Sequence, residues 1–414
     1  MSEARDRTLE VRLAWRNIGR NRRRSLLFLL AVAVGLFGLL ASLGLMHGLS
    51  REMLEEMTGT HLGDVQVAHL GFNDNPVLSL TLEDPLPVER ILETTPGIAY
   101  WAPRVLLQGM AQSGRGSQGA LIVGIDPARE REVTVISRRV TEGAYPSGTA
   151  RSGVLIGEEM ARRLRLKIGQ RLVVFAQGRS GELVSAAWPI AGLFRTNSPD
   201  FDRSMVYVGI NDLRGVLGLG EGVSTFTLRT SAETTAARLD EVLTRTLAGR
   251  DLAVLAWGEV VPAMLQSMEV WDFFIYIFFV LVFIAMVFGI MNTMTMAVFE
   301  RIQEFGVLSA LGTLPGRIFR MVVYEAGLLG LLGLGVGWLG TLLLMLLTAR
   351  SGIDLSVFSQ ALASLGSGST IHIILGPRDF LISGALALLF AVISAVLPAL
   401  RAMRFEPVEA LRHV

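Results

Sequence analysis

The apolar and polar positions divide this chain into two kinds of sequence. Four stretches run for about 20 residues or more without a charged side chain: Leu26–Met46, Phe273–Phe299, Ala326–Ala349 and Phe380–Leu400. A helix needs about 20 apolar residues to cross a hydrocarbon layer roughly 30 Å thick, and a charge held there costs at least about 2.5–3.5 kcal/mol. Four uncharged stretches therefore predict four transmembrane helices. Residues 47–272 are patterned differently. Strand-like runs occur at 64–70, 119–125, 153–157, 171–176, 204–208 and 224–229, and helical patterns at Glu158–Leu166 and Ala232–Leu247. "GRSG" between "RLVVFAQ" and "ELVSAAWPIAGLF" has the glycines of a hairpin turn. The predicted fold class is an α-helical membrane protein with four transmembrane helices and a large α+β domain inserted between helices 1 and 2.

Arginine placement orients the spans. Arg12, Arg16, Arg20, Arg22, Arg23 and Arg24 precede the first; Arg301, Arg317 and Arg320 lie between the second and third; Arg401, Arg404 and Arg412 follow the fourth. Positive flanks stay in the cytoplasm. Residues 1–25, 300–325 and 401–414 are therefore expected on the cytoplasmic side, with 47–272 and 350–379 outside. Val11, Trp15 and Ile18, at helical spacing among arginines, suit an amphipathic segment on the inner membrane surface. The first apolar run exceeds the 7–15 residues of a signal-peptide core, which makes it an uncleaved anchor.

Small residues recur inside the spans. Gly327, Gly330, Gly333, Gly337 and Gly340 repeat every three or four positions in the third, and Ala387, Ala391, Ala395 and Ala399 every fourth in the fourth. Such spacing lets helix backbones approach closely in lipid. It fits packing within one chain, a subunit interface, or a surface along which helices slide. No ionisable residue marks a solute path through the bilayer.

Composition narrows the chemistry. The formal net charge of the 414 residues is +1, which offers no general attraction for nucleic acid. Cysteine is absent, removing thiol nucleophiles and thiolate metal sites. His47, His61, His69 and His372 are scattered without metal-ligand spacing. Lys167, the only lysine, sits in "RLKIGQ", so no P-loop is present, and no G-x-S-x-G, H-E-x-x-H or S-x-x-K motif appears. The chain is not expected to be an enzyme or to hold a cofactor. ATP hydrolysis, if it drives this protein, belongs to another polypeptide.

One segment stands between these worlds. In "ERIQEFGVLSALGTLPGRIF", residues 300–319, Glu300, Arg301 and Glu304 occupy the first helical turns. Val307, Leu311, Leu314 and Ile318 follow the spacing of a buried stripe. Gly312 and Pro315–Gly316 should end the helix before the third span. A charged helix joined to two spans could pass a partner's movement into the membrane, or could be a plain interfacial connector.

The same segment, continued as "RMVVYEAGLLGLLGLGVG", resembles the signature of FtsX/MacB-type ABC transporter permeases. The N-terminal "LAWRNIGRNRRRSLLFLLAVAVG", the C-terminal "LPALRAMRFEPVEALR", and the outside stretches "GVLIGEEMARRLRLKIGQRLVVF" and "AGLFRTNSPDFDRSMVYVGINDL" are similar to that family as well. Ser309 departs from the pattern, where a basic residue is common. The resemblance implies an inner-membrane permease dimer, of identical or paralogous chains, with a periplasmic domain. Two separate ATPase subunits would bind ATP and Mg. Their closure would work the outside domain by mechanotransmission, with substrate handled at the outer face. Glu300, Arg301, Glu304, Phe305, Gly306, Leu308, Leu311 and Gly312 would form the coupling helix, with Glu304, Phe305, Leu308 and Leu311 as contacts. The length and single outside domain suit the lipoprotein-releasing (LolC/LolE-like) branch. That implies a lipoprotein substrate, a periplasmic carrier and an apolar cradle for lipid chains between the domain and the outer ends of the first two spans. The alternatives are efflux of a periplasmic peptide or antibiotic, and regulation of a cell-wall hydrolase.

Overall fold

The computed structural model describes residues 12, 14–20, 22–148, 153–364 and 366–404; Val11 and the tail from residue 405 lie outside them. The chain folds as two compact units. One comprises residues up to 49, 269–354 and those from 370; the other comprises 50–268 and 355–369.

The first unit holds the apolar helices. Long helices α1 (Arg22–Met57), α2 (Pro262–Glu300), α4 (Pro315–Thr348) and α5 (Pro377–Ala402) accompany the short α3 (Ile302–Ala310). Each long helix contains a segment long and apolar enough to cross a membrane. All four outrun the uncharged stretches, because backbone hydrogen bonding does not stop where side chains become polar. The connection 300–325, read from the sequence as a coupling helix and loop, already enters α4 at Pro315. Proline suits a first turn, having no N–H bond to lose there.

Small side chains set how closely these helices approach. Ala387, Ala391, Ala395 and Ala399 are all fully buried. A Cβ added at Gly330 would lie 3.1 Å from the Ala391 Cβ, and one at Gly327 would reach a Val392 methyl at 4.0 Å. Gly333, Gly337 and Gly340 instead face α1, where added Cβ atoms would lie 2.7 Å from the Val32 Cβ, 3.0 Å from the Ala33 carbonyl oxygen and 3.3 Å from the Phe37 ring. The two stripes thus pack inside this chain. A tighter contact lies in the first span, at Gly44 and Gly48. The Ile374 N–H donates to the Gly44 carbonyl at 3.0 Å, and a Cβ at Gly48 would fall 1.9 Å from the His372 oxygen.

The second unit is built on ten strands: β1 (Val65–His69), β2 (Ile98–Ser113), β3 (Gly116–Ile125), β4 (Val140–Gly143), β5 (Val154–Gly157), β6 (Arg171–Gln177), β7 (Leu183–Phe194), β8 (Met205–Gly209), β9 (Thr225–Thr230) and β10 (Leu252–Ala256). Their order is β10-β1-β9-β2-β3-β8-β5-β7-β4, and β6 pairs with both β2 and β7. Strands β2, β3, β8, β5, β7 and β6 therefore close on one another, which removes open edges. Val105, Ile122, Ile156, Leu172, Val174 and Val206 belong to the apolar core they share. At the other end, Val88, Leu92, Leu239 and Leu243, from helices Leu86–Thr94 and Ala236–Thr246, join Val65, Val67, Phe226 and Leu228.

All six strand-like runs are strands, and "GRSG" closes the β6–β7 hairpin, with the Gly178 N–H donating to Glu182 O at 2.8 Å. The longest strand, β2, carries neither pattern. Pro103 lacks a ladder donor and Arg104 puts a charge in mid-run, two features that argue against a strand. Helix Glu158–Leu164 stops short of the predicted Leu166 because Arg165 turns left-handed, at φ 52°.

Candidate functional site

The charged junction around α3 is set by two backbone breaks. Arg301 leaves helical geometry at φ −115°, ψ 18°, separating α3 from α2. Gly312 takes φ +87°, a conformation glycine adopts freely, and turns the chain towards α4. Gly312 thus stands where the sequence put the helix end. Between the breaks, α3 is held by charge and by packing.

The charges form one alternating line. Arg20 pairs with Glu304, and Glu304 with Arg301 at 3.0 Å. Arg301 pairs with Glu325 at 3.0 Å, Glu325 with Arg24 at 3.7 Å, and Arg24 with Glu300 at 2.9 Å. The ends Arg20, Glu304 and Glu300 are exposed. The middle is not: the side chains of Arg24, Arg301 and Glu325 are 12, 10 and 5% accessible. Exposed pairs contribute about 0–1 kcal/mol, whereas removing one partner of a buried pair costs about 3–5 kcal/mol. The energy of the line is concentrated at Glu325. Burial works against ionisation of Glu304, but hydrogen bonds from Arg20 and Arg301 hold its carboxyl below the usual glutamate value.

Packing corrects the sequence reading of this helix. Ile302, Phe305 and Gly306 are buried, and Phe305, 2% exposed, belongs to the core shared by the long helices. Leu308 packs partly against the same core. Val307, Leu311 and Leu314, expected to be a buried stripe, are 46, 78 and 66% exposed; only Ile318 of that set is buried. The stripe is not realised, because the helix ends at Ala310 and Gly312 turns the chain, so Val307 and Ile318 stand on different helices. Phe305 is thus removed from the set of outward contacts, whereas Val307 on α3 and Leu311 and Leu314 in the turn that follows are exposed apolar side chains.

The sequence reading missed Arg20, Arg24 and Glu325 as a network. Arg20 and Arg24 looked like ordinary positive flanks. Glu325 carried a signal, standing alone against a charge-free stretch, where an ionisable residue needs a named partner.

Further along α1 and α2, Ser42, Met46, Trp271, Phe274, Ile275 and Phe278 line an open cleft of about 610 Å³. Its lining is almost wholly apolar and aromatic.

Two polar clusters organise the second unit. Past Met57 the chain continues as a π-helical turn, Thr58–Leu62. Arg104 donates to the His61 carbonyl at its end and forms a two-bond pair with Glu130, at 2.6 and 3.0 Å. Both partners are buried, and Thr134 adds a hydrogen bond to Glu130 at 2.9 Å. Burial and Arg104 push His61 down to about 3, so it is neutral near pH 7. Nearby on the same helix, Glu56 accepts from the Asn197 N–H at 3.0 Å and pairs with Arg139 at 2.9 Å, while Glu52 accepts from the Gly368 N–H at 2.9 Å. Among the described residues no group of three or more His, Cys, Asp or Glu could hold a metal ion.

Comparison with known proteins addresses the whole arrangement. Residues 25–246 match the MacB-like periplasmic core domain, and residues 276–407 match the FtsX-like permease C-terminal domain. The lipoprotein-releasing system transmembrane protein LolC of Xylella fastidiosa (strain 9a5c) is 23% identical over 410 residues, covering 94% of each chain. LolE of Haemophilus influenzae, also a lipoprotein-releasing system transmembrane protein, is 22% identical over 405 residues, 92% of each chain. The macrolide export ATP-binding/permease protein MacB of Bradyrhizobium diazoefficiens is 22% identical over 418 residues, 97% of this chain and 60% of that one. Membrane-spanning helices and a domain of the periplasmic type point to an inner-membrane protein. With both halves matched in order along one polypeptide, the chain belongs to the FtsX/MacB family of ABC transporter permeases, membrane proteins that work with an ATPase subunit.

Proposed function

We propose that this permease transmits force: α3 receives the movement of a separate ATPase, and the long helices carry it to an outside domain inserted between the first two spans. The termini and α3 lie in the cytoplasm, two ATPase copies bind ATP and Mg, and a second permease chain completes the assembly. The observation that carries the reading is exposed Val307 on α3, followed by exposed Leu311 and Leu314 in the turn to α4, while Ile302, Phe305 and Gly306 of the same helix are buried. Exposed apolar side chains beside charged ones suit a protein groove better than water. Leu311→Glu should abolish co-purification of the ATPase while leaving the permease folded. Undiminished ATPase binding in Leu311→Glu would sink the proposal.

The work done is release of lipoproteins from the inner membrane towards a periplasmic carrier. The apolar cleft between α1 and α2 supports this finer reading, since acyl chains need an uncharged lining with aromatic faces. Loss of lipoprotein release on depletion supports it, and normal lipoprotein sorting removes it. Normal sorting together with sensitivity to a peptide or antibiotic would select efflux instead; a co-purifying wall hydrolase would select regulation.

A further inference from the structure

We propose that Glu325 is a positioning residue, the buried centre of a joint that locks α3 to α1 and α4 in one register; the inference rests on the force-transmission reading above.

The two breaks make such a joint necessary. Arg301 and Gly312 interrupt the backbone on either side of α3, so main-chain helix bonds do not make α3 rigid with either neighbour. Phe305 and Ile302 supply burial, but apolar contact is non-directional and tolerates rotation of a short helix against its core. The ion line supplies direction. Arg301 touches Glu325 of α4 across 24 positions, and Arg24 of α1 touches both Glu325 and Glu300. Four elements thereby meet on one carboxylate and its two guanidinium partners.

Along these pairs Arg20, Arg24 and Arg301 alternate with Glu300, Glu304 and Glu325. Neutralising Glu304 leaves Arg20, an exposed arginine that water can solvate, and Arg301, which keeps Glu325. Neutralising Glu325 leaves two guanidinium groups side by side with little access to water. Their repulsion should drive α1 and the start of α3 apart. Three apolar residues at these sites could match the stability of the ion pairs, yet they would lose the fixed angle. The joint therefore serves register, and its loss should uncouple α3 from the spans rather than unfold them.

The test uses the full chain in nanodiscs. The protein has no cysteine, so single labels can be introduced without removing any. Spin labels at Val307→Cys on α3 and Val34→Cys on α1 report the register by pulsed EPR. Wild type should show one narrow distance distribution. Glu325→Gln should broaden it, Glu325→Asp should restore it in part, and Glu55→Gln, in the exposed Arg51–Glu55 pair, should leave it unchanged. The triple variant Arg24→Met/Arg301→Met/Glu325→Leu keeps the test decisive if Glu325→Gln does not fold: it should fold and still show the broad distribution. With the ATPase bound, both broadened variants should hydrolyse ATP with loss of transport. A narrow distribution in either variant, or full transport per ATP in both, overturns the joint. The distance measurement needs no ATPase, so failure of ATPase docking at Leu311 would be seen separately from failure of the joint.

Discussion

Glu130→Gln in the second unit offers a sharp energetic test. Glu130 is fully buried, and its carboxylate takes two bonds from Arg104, whose side chain is 1% accessible. The substitution keeps the shape and removes the charge, leaving a buried guanidinium without a countercharge, with the His61 carbonyl and one neutral amide oxygen as acceptors, and the Thr134 hydroxyl facing a weaker acceptor. Breaking one side of a buried pair costs about 3–5 kcal/mol. For a unit of this size that is a fall in melting temperature of about 10 °C, at about 2–4 °C per kcal/mol. Melting of the full chain, read with hydrogen exchange of the β2 and β3 amides, measures it. The loss should be confined to the second unit and should include faster exchange at the Thr58–Leu62 turn, whose end Arg104 caps. Arg104→Met/Glu130→Leu should recover most of the stability, because matched apolar replacement of a buried pair is often neutral or better. A melting point within about 2 °C of wild type for Glu130→Gln, under roughly 1 kcal/mol, would refute the assignment of a dry, charged pair.

Three other measurements bear on the fold. Phe305→Ala should destabilise the helical unit by about 3–5 kcal/mol, seen as a lower melting point in detergent, because Phe305 is core. Gly48→Ala should cost about 1–3 kcal/mol, since its new methyl would lie 1.9 Å from the His372 oxygen and force the segment at 371–375 away; an unshifted melting point would contradict that contact. Asp202 is pushed by burial up to about 6 from 3.8, against hydrogen bonds donated by Thr196. A raised folded value means the folded state holds the proton more tightly. The contribution is full below pH 3.8 and is lost as pH rises through 6, a change of about 3 kcal/mol. His61, lowered to about 3, runs the opposite way across much of the same window. The difference in stability between wild type and Asp202→Asn, taken at each pH, isolates Asp202; a difference that stays constant from pH 4 to 7 would contradict the shift.

Features that depend on neighbours within a turn or a strand were legible along the chain. Spans follow from the cost of a charge in lipid, paid residue by residue, and the six strand runs, the Gly178–Gly181 turn and the stop at Gly312 follow from local backbone preference. Features that depend on residues far apart in the chain emerged only on folding. Arg20 meets Glu304 across 284 positions and Arg24 meets Glu300 across 276. No local rule links a basic flank to a carboxylate so distant. Strand β2 runs against its own proline and arginine because β3, β6 and β9 pair with it and Glu130 neutralises Arg104. That α3 is a helix was legible, but its buried face was not: whether Phe305 or Val307 is covered depends on where the long helices stand, and periodicity carries no information about that.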